Sequence, residues 1–252
     1  MRQVHLGLSH LAGNHLETTL YRDIAPADRL QQYGNAFGHY EAACTADPRW
    51  TTQNALDLEA AMPAHVRISP RHPGAERHEA WVDANAPLLE STRAAPMHLP
   101  WQGPWSPQQE DALDALLGRI WDAVPSTGRV AVEFHHASWF RPEPMRLLEE
   151  HHAGVVWSAA AGLVPYRATS DFLYVRLKGS QTRPAGEDTA AFLQRVRARG
   201  TDPRPVHVVG VRPEAYSLRA LERFARGTGA AWRLGTVRVE PQASLDRFAI
   251  PA

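Results

Sequence analysis

The sequence has a single cysteine, no long apolar run and no excess of charge of either sign. With Cys44 alone, an intrachain disulfide cannot form and a zinc site built from several cysteines is excluded. The longest weakly apolar stretch, AGVVWSAAAGLV, is shorter than the ~18–20 residues that a membrane span needs, and the first residues lack the apolar core of a secretion signal. We therefore expect a cytoplasmic protein with no membrane partner.

The charge balance argues against nucleic acid as a partner. The 27 basic residues are offset by 27 acidic residues, and no dense run of lysine or arginine occurs. Binding along a phosphate backbone needs such a positive patch. The sequence leaves the oligomeric state open.

What is present is a regular alternation of short apolar runs and helix-period segments, in a chain of 252 residues that is 44% hydrophobic. Strands are predicted at Val4–Leu8, His39–Ala43, His65–Ser69, Ala95–Leu99, Val130–Phe134, Gly154–Ser158, Phe172–Leu177 and Pro205–Val211. Helices are predicted near residues 30–37, 52–62, 79–90, 107–124, 144–151, 189–199 and 217–226, the fourth capped by Ser106 and carrying Trp121 in its apolar stripe.

Eight such units predict a single α/β domain over residues 1–252, a TIM-type (β/α)₈ barrel that is irregular or incompletely closed. The contribution of the tail after about residue 232 is left open. A doubly wound open sheet is the alternative, but the early stretch GLSHLAGN does not match the glycine pattern GxGxxG that such sheets use to bind phosphate.

The strand VAVEF ends in an acid and continues into two histidines and a tryptophan, within VAVEFHHASWF at residues 130–140. In a barrel the functional site lies at the carboxyl ends of the strands. Because side chains alternate along a strand, Glu133 and His135 should point into the lumen, and Val132 and Phe134 toward the helices. A buried charge is costly unless it is paired or used, so Glu133 is the first candidate for a site residue.

The same alternation brings more polar side chains to this end of the barrel: Glu41, Arg67, Ser69, Arg71, His98, Tyr174, Arg176 and Lys178. We expect Glu41, Glu133 and Arg176 to form one cluster, with Arg71 and Lys178 at its edge. Packing alone does not explain several strands that end in charge at one rim.

At these residues the chain resembles the family called domain of unknown function 72, or YecE-like. VEFHHASWF resembles the family signature VEFRHxSWF, and LYVRLKG resembles YVRLHG. MHLPW resembles FQLPP, VRISPRHPGAERH resembles FRFAVKAPRxxTH, FGHYEAA resembles FNTVEIN, and GLS resembles the start of GTSGW. The resemblance covers most of the chain and implies a barrel, whereas it implies no established activity.

Some positions match the family and others depart from it. The matching residues are Glu41, His78, Glu133, His136, Trp139 and Arg176. In place of the family's residues stand His135 for arginine, Arg71 for lysine, His98 for glutamine, Lys178 for histidine and Ala43 for asparagine. An aspartate after the sixth strand and a pair of asparagines after the eighth are also replaced, by the Ser158 region and by Val211 and Arg212. The resemblance therefore implies a divergent member.

Two classes of function follow. In the first, the barrel binds a small polar or anionic molecule through Arg71, His78, His98, Trp139, Arg176 and Lys178, with acid/base chemistry by Glu133, His135, His136 and Glu41. In the second, a catalytically degenerate barrel binds a ligand or partner without chemistry. Glu133 could instead be a structural partner of Arg176, and Trp139 could simply pack over its loop.

A divalent metal is a further alternative for the cofactor. Glu41, His78, His98, Glu133 and His135 are suitable ligand types, although no compact signature such as HExxH occurs. We favour hydrogen-bonded histidines over metal ligands. Because adjacent strand residues point to opposite sides, only one of His135 and His136 should face the lumen: alternation favours His135, and the resemblance favours His136.

Overall fold

The computed structural model describes residues 3–11, 14–74, 77–124, 129–158, 165, 167–178, 204–211 and 215–228. Its strands are β1 (Val4–Leu8), β2 (His39–Ala42), β3 (Arg67–Pro70), β4 (Met97–Trp101), β5 (Val130–Phe134), β6 (Gly154–Ser158), β7 (Leu173–Lys178) and β8 (Val206–Val211). The α-helices in this part of the chain are α1 (Asn14–Thr19), α2 (Arg29–Ala36), α3 (Thr52–Ala61), α4 (His78–Leu89), α5 (Pro107–Ala123), α6 (Pro142–Glu150) and α7 (Ala215–Thr228).

All eight strands pair in parallel, in the order β3-β2-β1-β8-β7-β6-β5-β4. The predicted α/β barrel is therefore confirmed and the open doubly wound sheet is wrong. Strand β3 begins two residues later than predicted, because the backbone NH of Val66 donates to the carbonyl of Pro63 in a turn. The helix predicted near residues 189–199 and the tail after about residue 232 lie outside the described residues.

The ring of strands is nearly closed between β3 and β4. In place of a continuous ladder, the described residues show two isolated bridges, Ile68 with Ala94 and Arg71 with His98. The NH of His72 donates to the carbonyl of His98 at 2.8 Å, and Oγ of Ser69 donates to the carbonyl of Pro96 at 2.7 Å. We refer to this join as the β3–β4 seam.

Strands β1 and β2 approach each other closely at Gly7. A Cβ atom at this position would lie 1.8 Å from the carbonyl oxygen of His39, so no larger residue fits without a backbone shift. One residue further on, the hydroxyl of Tyr33 accepts from the NH of Leu8 at 2.9 Å and donates to the carbonyl of His39 at 2.6 Å. The side chain of Tyr33, on helix α2, thereby links β1 to β2 in place of part of their backbone hydrogen bonding.

The outer faces of the strands pack against the helices, and their inner faces fill the lumen. Helix α5 is capped as predicted, with Oγ of Ser106 accepting from the NH of Gln109 at 3.2 Å. The prediction that Trp121 belongs to its buried stripe is wrong, since this side chain is 42% exposed. An apolar group in the lumen comprises Ala131, Val156, Phe172, Tyr174 and Val209. In the described residues, no helix is both long and apolar enough to cross a membrane.

Candidate functional site

A charged cluster occupies the lumen at the carboxyl ends of the strands. The guanidinium of Arg176 donates from one terminal nitrogen to Glu133 Oε2 and from the other to Glu41 Oε1, the second bond being 2.9 Å long. Nε2 of His98 lies 3.1 Å from Glu133 Oε2, and the hydroxyl of Tyr174 donates to Glu41 Oε2 at 2.9 Å. The structure thus brings Glu41, Glu133 and Arg176 together, as strand alternation predicts, and adds His98 to them.

The cluster is buried, and its members hold one another in fixed charge states. Glu41 is fully buried, and burial alone would raise its pKa; the charge of Arg176, with smaller contributions from His98 and Tyr174, lowers it to about 2. Burial likewise opposes ionisation of Glu133, but the hydrogen bonds from His135 and His98 and the charge of Arg176 hold the pKa of this carboxyl well below its usual range. Both acids are therefore carboxylates at neutral pH.

The imidazole of His98, by contrast, is uncharged at neutral pH. Burial lowers the pKa of this ring and the neighbouring Arg176 charge lowers it further, and together they outweigh Glu41 and Glu133, which raise it. A neutral ring that faces Glu133 through Nε2 carries its proton on that nitrogen and donates it to the carboxylate. Its Nδ1 is then an acceptor, and it lies 3.7 Å from Glu41 Oε1.

The two adjacent histidines after β5 have different surroundings. His135 Nε2 lies 3.5 Å from Glu133 Oε2, and the His135 side chain is 32% exposed, so it stands between the buried cluster and solvent. His136 caps the short turn Ala137–Trp139, where its Nδ1 accepts from the NH of Ser138 at 3.2 Å. His135, which strand alternation favours, therefore reaches the cluster, whereas His136, which the resemblance favours, caps the turn that follows β5.

Trp139 and His78 lie in other surroundings. Trp139 is fully buried, stacks on Phe134 with ring centroids 4.7 Å apart, and donates from Nε1 to the carbonyl of Gly103 at 3.1 Å. His78, at the start of α4, forms a 3.2 Å hydrogen bond with His72. These contacts are those of packing and loop support, and they do not join either side chain to the charged cluster.

The two predicted edge cations are less well defined. Arg71 bridges to His98 through its backbone, and its carbonyl accepts from Nε1 of Trp81 at 3.0 Å. Lys178 ends β7, and its side chain lies outside the described part of the structure. The structure therefore adds no contact of either side chain to the cluster.

Two residues at the cluster received no role from the sequence, Tyr174 and Ser158. Strand alternation placed Tyr174 at this end of the barrel, two residues before Arg176 on the same face of β7, but did not indicate its bond to Glu41. Ser158 ends β6 beside Arg176 in the register of the sheet. The resemblance placed Ser158 near the family's aspartate after the sixth strand, and the pairing of β6 with β7 adds that it lies beside Arg176.

The geometry of the cluster can be compared with the requirements of a metal site and of a glycosidase. Within the described residues, no group of three or more histidine, cysteine, aspartate or glutamate side chains is placed so that it could hold a metal ion. Glycosidases need two carboxylates that flank the scissile bond. Here Arg176 lies between Glu41 and Glu133 and bonds to both.

The fold and the polar side chains at its strand ends define a parallel α/β barrel that carries its candidate site at the usual end for such barrels. The chain belongs to the DUF72 family, since the family model described as "Protein of unknown function DUF72" matches residues 5–243. The confirmed family agrees with the resemblance drawn from the sequence motifs.

Solved structures of the family share this fold. A DUF72 family protein from Enterococcus faecalis V583 has a TM-score of 0.71 at 14% identity, over 94% of this chain and 100% of the other. A DUF72 family protein from Thermotoga maritima MSB8 has a TM-score of 0.71 at 20% identity, over 89% of this chain and 98% of the other. No curated protein matches the chain.

Proposed function

We propose that this barrel binds a small polar molecule at the carboxyl ends of its strands and exchanges a proton with it through His135. The observation that supports the proposal is the buried cluster of Glu41, Glu133, Arg176 and His98, with an exposed imidazole directly above it. Buried charges that contact one another at the functional end of a barrel are candidates for a site, because structural packing rarely requires them.

The charges of the cluster favour particular ligands. Two carboxylates against one guanidinium leave a net negative charge, since His98 is neutral. The terminal nitrogens of Arg176 already donate to the two acids. A neutral or cationic molecule with hydroxyl or amide groups is therefore favoured over the anionic molecule that the sequence also suggested.

Glu133 and His135 have different roles in the proposed proton exchange. A carboxylate whose pKa is held low is a poor proton acceptor, but it can orient and stabilise a neighbouring imidazole. Glu133 lies within 3.5 Å of His135 Nε2 and is positioned for that role. We therefore assign proton exchange to His135 and make Glu133 the positioning residue.

A binding screen with matched histidine variants tests the proposal. Neutral, cationic and anionic small molecules are titrated against the wild type, His135→Ala and His136→Ala by NMR between pH 5.5 and 8. We expect neutral or cationic binders whose affinity depends on pH in the wild type and in His136→Ala, and no such dependence in His135→Ala.

Two outcomes would contradict parts of this proposal. An affinity that depends on pH equally in all three proteins would remove His135 from proton exchange and leave a barrel that only binds. Selective binding of anions would contradict the argument from the net charge of the cluster.

A further inference from the structure

At the carboxyl ends of the strands, which we call the mouth of the barrel, some buried polar atoms have no hydrogen-bond partner among the described residues. Oγ of Ser158, Nε of Arg176 and Nδ1 of His98 are buried, and none of the three has a hydrogen-bond partner in that part of the chain. Ser158 and Arg176 are each 3% exposed. An unpaired buried donor is destabilising, so such atoms are the places where a bound molecule would gain most.

Two of these atoms are neighbours in the sheet. Ser158 and Arg176 are Cα partners in the parallel pairing of β6 with β7, so their side chains leave the same, lumenal face. Neighbouring strands lie about 4.8 Å apart, which sets the lateral distance between the two side chains. Ser158 Oγ and Arg176 Nε therefore belong to side chains that start from the same face of neighbouring strands.

The register also places this pair beside the exposed histidine. Ala131 pairs with Gly154 and Val132 with Val155. Extended past the end of β5 at Phe134, the same register would set His135 opposite Ser158. A ligand atom held by Ser158 and Arg176 would thus lie next to the imidazole that we assign to proton exchange.

We propose that Ser158 Oγ and Arg176 Nε form a subsite for the carbonyl oxygen of a neutral ligand, such as an amide. The proposal rests on the proposed function, because it names the ligand class for the same mouth. A hydroxyl and a guanidinium NH are two donors, and a carbonyl oxygen offers two lone pairs to them. The net negative charge of the surrounding cluster disfavours a carboxylate in the same place.

The remaining bonds of Arg176 keep its Nε in position. Its two terminal nitrogens donate to Glu41 and Glu133, which fixes the plane of the guanidinium. Preorganised donors of this kind also stabilise negative charge that develops on a carbonyl oxygen during proton transfer. The subsite would therefore suit a reaction in which His135 removes or delivers a proton near that carbonyl.

Acetamide is a suitable probe, with acetate, methylammonium and glycerol as chemical alternatives. NMR titrations compare the wild type with Ser158→Ala, and with Ser170→Ala as the matched control. Ser170 precedes β7 at the opposite end of the barrel, where its Oγ donates to the carbonyl of Phe172 at 3.0 Å. We expect acetamide to bind the wild type and Ser170→Ala, and Ser158→Ala to bind it at least tenfold more weakly.

A second variant and a crystal soak guard against an indirect effect. Arg176→Lys retains the positive charge but lacks an Nε–H donor, so it too should lose acetamide binding. A crystal soaked in acetamide should show the amide oxygen within hydrogen-bond distance of both Ser158 and Arg176. Thermal melts confirm that Ser158→Ala remains folded.

Three outcomes would overturn the subsite. They are equal acetamide affinity in Ser158→Ala, binding of acetate in preference to acetamide, and a soaked crystal that holds only water at these atoms. Failure of the proposed function looks different: acetamide would then bind through Ser158, but with no dependence on His135 or on pH.

Discussion

Replacing Arg176 with methionine removes the cation that bonds to two buried acids and leaves a shorter, unbranched apolar side chain. In the wild type this guanidinium bonds to Glu41, which is fully buried, and to Glu133, which is 2% exposed. Methionine would leave the two carboxylates close together without a cation. We expect a large loss of stability at neutral pH.

The structure allows the size of this loss to be worked out. Removing one partner of a buried ion pair costs about 3–5 kcal/mol, because the other charge remains without compensation. In a protein of this length, each kcal/mol lowers the melting temperature by roughly 2–4 °C, so we expect a fall of about 10 °C. One of the two neighbouring acids should then take up a proton with a raised pKa, and the deficit should shrink as pH falls from 7 toward 5.

A double-mutant cycle measured by urea unfolding provides the assay. The variant Arg176→Met/Glu133→Gln has one buried acid in place of two and should recover part of the lost stability. Arg129→Met is the control: it breaks an ion pair with Asp171 whose partners are 52% and 66% exposed, and should cost less than about 1 kcal/mol. An Arg176→Met protein as stable as the wild type at pH 7 would refute the reasoning.

Three further predictions concern the fold. Gly7→Ala should prevent stable folding, because its Cβ would lie 1.8 Å from a backbone oxygen. Gly118→Ala is the control, since its position is open and should accept alanine without loss of stability. Circular dichroism melts compare the two variants. Acid should destabilise the barrel. Burial lowers the pKa of His39 to about 3 and that of His207 well below its usual value, so the unfolded chain binds the extra protons. Stability should be complete above pH 6.5 and fall by up to about 1.4 kcal/mol per pH unit for each histidine below it. Urea titrations that give equal stability at pH 7 and pH 5 would contradict this. Ser106→Ala should cost about 1 kcal/mol, through loss of the cap of α5, and shift the urea midpoint without changing the slope.

The barrel could be predicted because its signals are local. Apolar runs and helical periodicity locate the eight strands to within about two residues, and alternation along β5 and β7 points Glu133 and Arg176 into the same lumen. Both depend only on positions near one another in the chain.

The contacts of individual polar side chains could not be predicted in the same way. His78 lies in the chain between two strands, but its partner is His72, and nothing in the sequence indicates that bond. The division of labour between His135 and His136 depends on a short turn that begins directly after the strand. Such details are set by how loops leave the barrel and by which charges meet across it.

Side chains close to the candidate site also help to join β3 to β4 at the β3–β4 seam. Where the two strands lack a continuous ladder, Oγ of Ser69 on β3 donates to the carbonyl of Pro96, just before β4. The side chain of Ser69 thus adds to the few backbone bonds across the seam, such as the one from His72 to His98. Substitutions at the mouth are therefore under two constraints. A residue that suits a new ligand must also preserve the hydrogen bonds that join β3 to β4 and close the barrel.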